Sequence, residues 1–301
     1  MIVPSAPQLS KLLMYVGKPL AYLLVYDILV VLAYNVMGWT WIGLEHMPLT
    51  LFGSAIGIVL SFRNAQAYDR WWEARKLWGS IVNNTRSWAR QVMCISVPGN
   101  EPLVRLMQNE LLYEQMAWTH ALRQHLRGLE PWDAIAPFLP AERVEELKRE
   151  KNVPLALHVA MGQRIAERCR AGWYDTLTWS QMDDTLNDLA DAQGGCERIK
   201  NTPFPKQYDY FPRLFVHMFC LLLPLAMAPT MGWRSPLGST LVGFIFLALD
   251  KIGRDLETPF DNKIYDVPMT AISTMIEINL RQTLGETELP QPVKPIHGVL
   301  W

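Results

Sequence analysis

The run Met47 to Gly79, MPLTLFGSAIGIVLSFRNAQAYDRWWEARKLWG, constrains the possible fold more than any other stretch. It opens as a lipid-type apolar segment, Leu49 to Phe62, and turns polar with no Gly/Pro break at the change. Arg63, Asn64, Gln66, Asp69, Arg70, Glu73, Arg75 and Lys76 follow at helix-compatible spacing. The spacing predicts one helix that starts in a membrane and continues into water. On the apolar half, Ser54, Ile58 and Phe62 recur every four residues and share a face. Gly53, Ala55 and Gly57 would let neighbouring helices approach closely. Several copies around an axis would make a narrow tube with rings of Ser, Ile and Phe. An ordinary membrane helix with one packed face fits the same periodicity.

The 301 residues would allow about two soluble domains, but the apolar half of the composition is unevenly spread. A mean hydropathy of +0.04 averages a greasy part with a polar one. The net charge of −1 argues against a nucleic-acid binder, which would usually carry a basic field. Cys94, Cys169, Cys196 and Cys220 are far apart and form no CxxC or Cys/His zinc spacing, so reduced thiols are expected and no metal site. No small-residue cleavage site follows the first apolar run closely, so no signal peptide is expected.

Taken in order, residues 1–15 are expected as a short surface helix. Gly17 to Trp39 is the first candidate span, with Asp27 inside it. A carboxylate at that depth is costly unless it faces protein, water or a helix end. It is either a pore or coupling residue or a buried, hydrogen-bonded acid. The link Thr40 to Pro48 has Trp39 and Trp41 beside it as interface anchors and carries no Lys or Arg. Arg63, Arg70, Arg75, Lys76, Arg86 and Arg90 flank the far end of the second span, which the positive-inside rule places in the cytoplasm. Residues 80–211 read as soluble helices, with breaks at Pro98–Pro102, Glu130-Pro131 and Pro137–Pro140. A charged helix is expected over Ala141–Lys151, and two more over Val153–Cys169 and Thr176–Gln193, the last capped by Gly194-Gly195. Leu214–Met231 is the third span, kinked at Pro224, with Pro229 near its end; Leu237–Leu249 is the fourth. Four spans put both termini inside. Pro268–Thr283 is a last amphipathic helix before a Pro-rich tail. The domain division expected is 1–79, 80–211, 212–252 and 253–301.

Enzyme constellations are missing from the pattern: no GxSxG, Walker loop, HExxH or ExxH pair is present. His120 and His125 are five apart and do not share a helical face well as metal ligands. His217 sits in an apolar run, as a satisfied core histidine would. No catalytic residues and no cofactor are expected.

The chain resembles the bestrophin family of ion channels, and its bacterial branch most closely. The matching pieces are Ser61-Phe62-Arg63-Asn64, Tyr68 and Arg70 to Gly79 (RWWEARKLWG), then Gly195-Cys196-Glu197-Arg198-Ile199, Thr202-Pro203-Phe204-Pro205 and Leu256-Glu257-Thr258-Pro259-Phe260. They come in the family's order over most of the chain. The resemblance implies an all-α, multi-pass membrane protein with four transmembrane helices continuous with a cytosolic helical bundle. It implies a homopentamer around one axial pore, in a bacterial inner membrane. By resemblance the pore neck is Ser54, Ile58 and Phe62, with Ser54 where the family usually has a bulky apolar residue. Asp27 is then the buried acid, because the family's pore is lined by a different helix. A second, cytosolic constriction falls at Leu177 or Ser180. Animal members clasp calcium with an acidic run after the fourth span. Here Lys263 interrupts that run between Asp261 and Asp266, too poor a set for the roughly six to eight oxygens a calcium ion takes. The function implied is passive flow of monovalent ions, with cations such as sodium preferred and chloride as the alternative. A membrane-anchored helical scaffold or an unrecognised enzyme is the rival of a different class.

Overall fold

A computed structural model describes residues 15–301. The expected surface helix over residues 1–15 therefore lies, Tyr15 apart, outside the described residues. Among them the chain is all-helical, with a single isolated β-bridge between Ile296 and Val299. It divides into two compact units. The first comprises residues 15–71 and 203–258 of the described chain, and the second residues 72–202 and 259–301.

The first unit contains helix α1 (Lys18–Asn35) and the opening half of α2 (Leu49–Met93). It also holds α8 (Lys206–Met231) and α9 (Ser235–Glu257). Pro19 starts α1, where a missing N–H costs nothing, and the chain leaves it through Gly38 at φ +70°. A 3-10 turn, Gly232–Arg234, joins α8 to α9. Among the described residues two stretches are long and apolar enough to cross a membrane: Lys18–Asn35, and the 52 residues Lys206–Glu257 that contain α8 and α9. The expected third and fourth spans both fall in the second stretch. The expected second span does not qualify, because the apolar run Leu49–Phe62 is only about 14 residues, or roughly 21 Å of helix.

α8 runs through Pro212, Pro224 and Pro229 to Met231. The core joins Leu23, Ile56, Leu60, Phe219, Leu223 and Leu247, with Phe219 edge-on to Phe246 at 4.9 Å. Gly243 lets α1 and α9 approach closely: a Cβ there would lie 2.2 Å from Leu23 Cδ2, which would have to shift. Asp27 is fully buried and accepts a 2.7 Å hydrogen bond from Thr240 Oγ1, as a structural acid should.

The second unit contains the remainder of α2, α3 (Glu101–Arg127), α4 (Trp132–Ile135), α5 (Ala141–Leu147), α6 (Val153–Arg170), α7 (Thr176–Asn201) and α10 (Met269–Thr283). Its core buries Trp78, Trp88 and Trp118 completely, among Leu111, Leu112, Met161 and Leu189. Trp118 Nε1 donates to Gln193 Oε1 at 3.0 Å. Local sequence explains the helix ends. Asn152 Oδ1 accepts from the Leu155 amide at 3.0 Å, Asp175 Oδ1 from the Thr178 amide at 2.7 Å, and Gly128 leaves α3 in the left-handed region at φ +68°.

Two expectations need correction. The charged helix stops at Leu147, short of Lys151. Gly194-Gly195 does not cap α7, which continues to Asn201. A Cβ on Gly195 would meet Leu77 Cδ2 at 2.8 Å, so that glycine serves a close helix crossing, not a chain reversal.

Candidate functional site

The apolar half of α2 has two unlike sides. Ile56, Leu60, Arg63 and Ala67 are buried. Ser54, Ile58 and Phe62 are exposed, Ile58 by 59% and Phe62 by 64%. The three predicted neck residues thus share an open face. The Ser54 hydroxyl donates back to the Thr50 carbonyl at 2.7 Å, so its proton is spent within the helix.

What turns Phe62 outward is the residue after it. Arg63 is 1% exposed. Its Nη1 donates to Asp250 Oδ1 at 2.8 Å and its Nη2 to the Asp209 carboxylate. Arg254 Nη2 lies 3.0 Å from Asp250 Oδ2. Two cations thus meet two carboxylates, and the cluster carries no net charge. A buried guanidinium cannot rotate out without leaving its partners unpaired, so this pairing sets the rotation of α2 against α8 and α9. Asn64 Nδ2 donates to the Leu249 carbonyl at 3.0 Å, and a Cβ on Gly253 would sit 2.3 Å from Asn64 Oδ1. Arg70 Nε donates to the Glu257 carbonyl at 2.8 Å, with its guanidinium over the Phe204 ring. The sequence placed Arg63 and Arg70 in a positive flank on the cytoplasmic side; the fold also ties them to α8 and α9.

In the second unit, Leu177 and Ser180 are both exposed on the first turns of α7, three residues apart on one face. Leu177 is the bulkier, at 66% exposure.

The loop after Pro259 is closed by two lysines, Lys200 of α7 and its own Lys263. Lys200 Nζ donates to Asp261 Oδ1 at 2.8 Å and Lys263 Nζ to Asp261 Oδ2 at 3.0 Å. Burial pushes the Asp261 carboxyl up, but these two ammonium groups outweigh it and hold the group at about 2. Asp266 is buried and accepts from the Lys263 amide at 3.0 Å; burial pushes its carboxyl up to about 6. Among the described residues no group of three or more His, Cys, Asp and Glu side chains is placed to hold a metal ion.

The histidines go separate ways. His120 Nε2 meets Glu277 Oε2 at 3.0 Å, and His125 Nε2 lies 3.7 Å from Glu197. His217, expected in a core, is exposed, its Nδ1 2.7 Å from the Arg213 carbonyl oxygen. An apolar run on a membrane helix faces outward as readily as inward, so the run did not indicate burial.

The profile described as Bacterial/Fungal Bestrophin protein matches residues 9–282. This chain is a bacterial-type bestrophin. Among curated relatives of this bestrophin, the Voltage-dependent anion channel-forming protein RSc3414 of Ralstonia nicotianae is 35% identical, over 82% of this chain and 80% of that protein. The Voltage-dependent anion channel-forming protein YneE of Escherichia coli K12 is 33% identical, over 82% and 80%. A crystal structure of a bacterial bestrophin homolog from Klebsiella pneumoniae superposes with a TM-score of 0.83 at 30% identity, covering 89% of this chain and 98% of that one. The all-helical fold is theirs. The comparisons lend nothing to the expected sodium preference, and the relatives' names favour the anion alternative.

Proposed function

We propose that this bestrophin is a passive ion channel whose neck is the Ser54–Ile58–Phe62 face of α2, repeated around the axis of a homopentamer. The observation that carries the reading is that face: bulky apolar side chains left open on a helix whose other side is fully packed. Stacked apolar rings gate by dewetting, because an ion inside must shed water without finding replacement ligands. The α7 constriction is assigned to Leu177, whose larger side chain closes more space than Ser180. Four spans, α1, the apolar half of α2, α8 and α9, cross the bacterial inner membrane and leave both termini in the cytoplasm. The proposed division is 1–79, 80–211, 212–252 and 253–301.

An uncharged neck does not choose the sign of the ion. The names of the curated relatives support small monovalent anions such as chloride as the permeant species, in place of sodium. Liposomes with a tenfold KCl gradient test both points. Ion flux without added substrate supports the channel, and a sealed vesicle refutes it. A reversal potential near the chloride equilibrium value supports anion passage; one near the potassium value overturns it.

A further inference from the structure

Beside its neck face, the apolar half of α2 has two open flanks. At about 100° per residue, Ala55 and Val59 lie about 60° and 100° to one side of Ile58, and Ser61 and Gly57 about 60° and 100° to the other. All four are at least partly exposed. Past Ala55 and Val59 comes α8, and between them runs an apolar groove of about 320 Å³ whose far wall is Phe215, Met218 and Leu222. Past Ser61 and Gly57 comes α9: Asn64 donates to the Leu249 carbonyl, and a Cβ on Gly53 would meet Phe246 at 3.8 Å.

α9 carries a ridge that suits the groove. Leu241 and Ile245, one helical turn apart, are both exposed. Phe246 points from α9 towards α2. Gly243 and Thr240, about 60° and 120° round from Phe246, meet Leu23 and Asp27 of α1. Ile245 and Leu241 are turned about 100° and 140° in the other sense, away from α1. Gly53 is level with Phe246 and Asn64 with Gly253, so α2 and α9 run in the same direction and one sense of rotation serves both. The ridge therefore points the way Ser61 and Gly57 point, and groove and ridge stand on opposite sides of the neck face. In a ring of five helices each meets its neighbours about 54° either side of the direction to the axis, which is where Ala55 and Ser61 stand when Ile58 faces inward.

We propose that the α2/α8 groove of one copy receives the Leu241/Ile245 ridge of α9 from the next copy, with Gly57 and Ser61 laid against Ala55 and Val59. This rests on the channel reading above and identifies the surfaces that close the neck. Groove and ridge are different patches, so the contact is head-to-tail and closes into a ring. The small residues let the two α2 helices approach: among the described residues, nothing beyond its own helix lies within 4 Å of a Cβ built on Gly57. Lipid could fill the groove only by entering between adjacent necks.

The test co-expresses two differently tagged full-length chains, both with Cys94→Ser and Cys169→Ser. One carries Met218→Cys and the other Ile245→Cys. Mild oxidation in the membrane should give a band joining the two tags, and each cysteine chain expressed alone should stay uncrosslinked. In a second arm, Gly57→Leu, which its own chain has room for, should lose the oligomer peak in detergent with helix content by circular dichroism unchanged. A wild-type oligomer that gives no crosslink, or that Gly57→Leu leaves intact, overturns the proposed contact and assigns the groove to lipid, while ion flux from that oligomer keeps the channel reading. A wild-type monomer overturns the oligomer reading and this contact with it.

Discussion

The two units bury opposite kinds of residue. The first turns Leu24, Val25, Ile28 and Leu29 of α1 outward and keeps Asp27, Arg63 and Asp250 inside. The second buries Trp78, Trp88, Trp118 and Leu112 and shows charged residues on its surface. In lipid an outward leucine loses nothing, while a polar group must find its partner within the protein. In water the apolar core is the main driving force. The same rules of satisfaction therefore place arginine inside one unit and tryptophan inside the other.

The contrast breaks most sharply at Arg63. Arg63→Ala leaves Asp250 and Asp209 short of a partner and should cost about 3–5 kcal/mol. Thermal unfolding in detergent reads it; a loss under about 1 kcal/mol would mean that solvent reaches the cluster. Leu112→Ala in the second unit should cost about 2–5 kcal/mol by leaving a cavity, whereas Leu29→Ala on the exposed face of α1 should barely move the midpoint. Equal effects of the two leucine changes would erase the distinction between the units. Gly195→Ala should cost about 1–3 kcal/mol, since the added methyl meets both Leu77 methyls below 3 Å. A gain in stability there would show that α2 and α7 can separate freely.

A further effect is in pH. Burial raises the Asp266 carboxyl from its ordinary value to about 6, so the native state favours its neutral form. Its contribution is full below the unfolded value and is lost as pH rises through about 6. Stability should therefore increase as pH falls from about 7 to 4 by more in the wild type than in Asp266→Asn. Equal slopes across that window would contradict the assignment.

The sequence made helix content and the open stripe on α2 readable, because 3.6-residue periodicity survives without a tertiary partner. The cost of a carboxylate among apolar neighbours left Asp27 either a pore residue or a buried acid, and the family resemblance chose the buried acid. Other features depended on distant chain. Arg63 and Arg70 read as a cytoplasmic flank, and only α8 and α9, more than 130 residues later, supply Asp209, Asp250 and the Glu257 carbonyl. Gly194-Gly195 carries the local signal of a helix end, yet Leu77 decides what Gly195 is for. Pro224 lies inside α8 and Pro229 two residues before its end at Met231, as the sequence placed them.

The central claim is that the exposed face of α2 is the ion route and not a packing surface. Single-channel recording of Ile58→Ala/Phe62→Ala tests it most directly. Shortening both side chains should widen the neck, keep it wet and raise the unitary current while the oligomer stays intact, with Ser54→Ala changing little. An unchanged unitary current from a destabilised oligomer would show that these side chains only pack against neighbours, and would contradict the account.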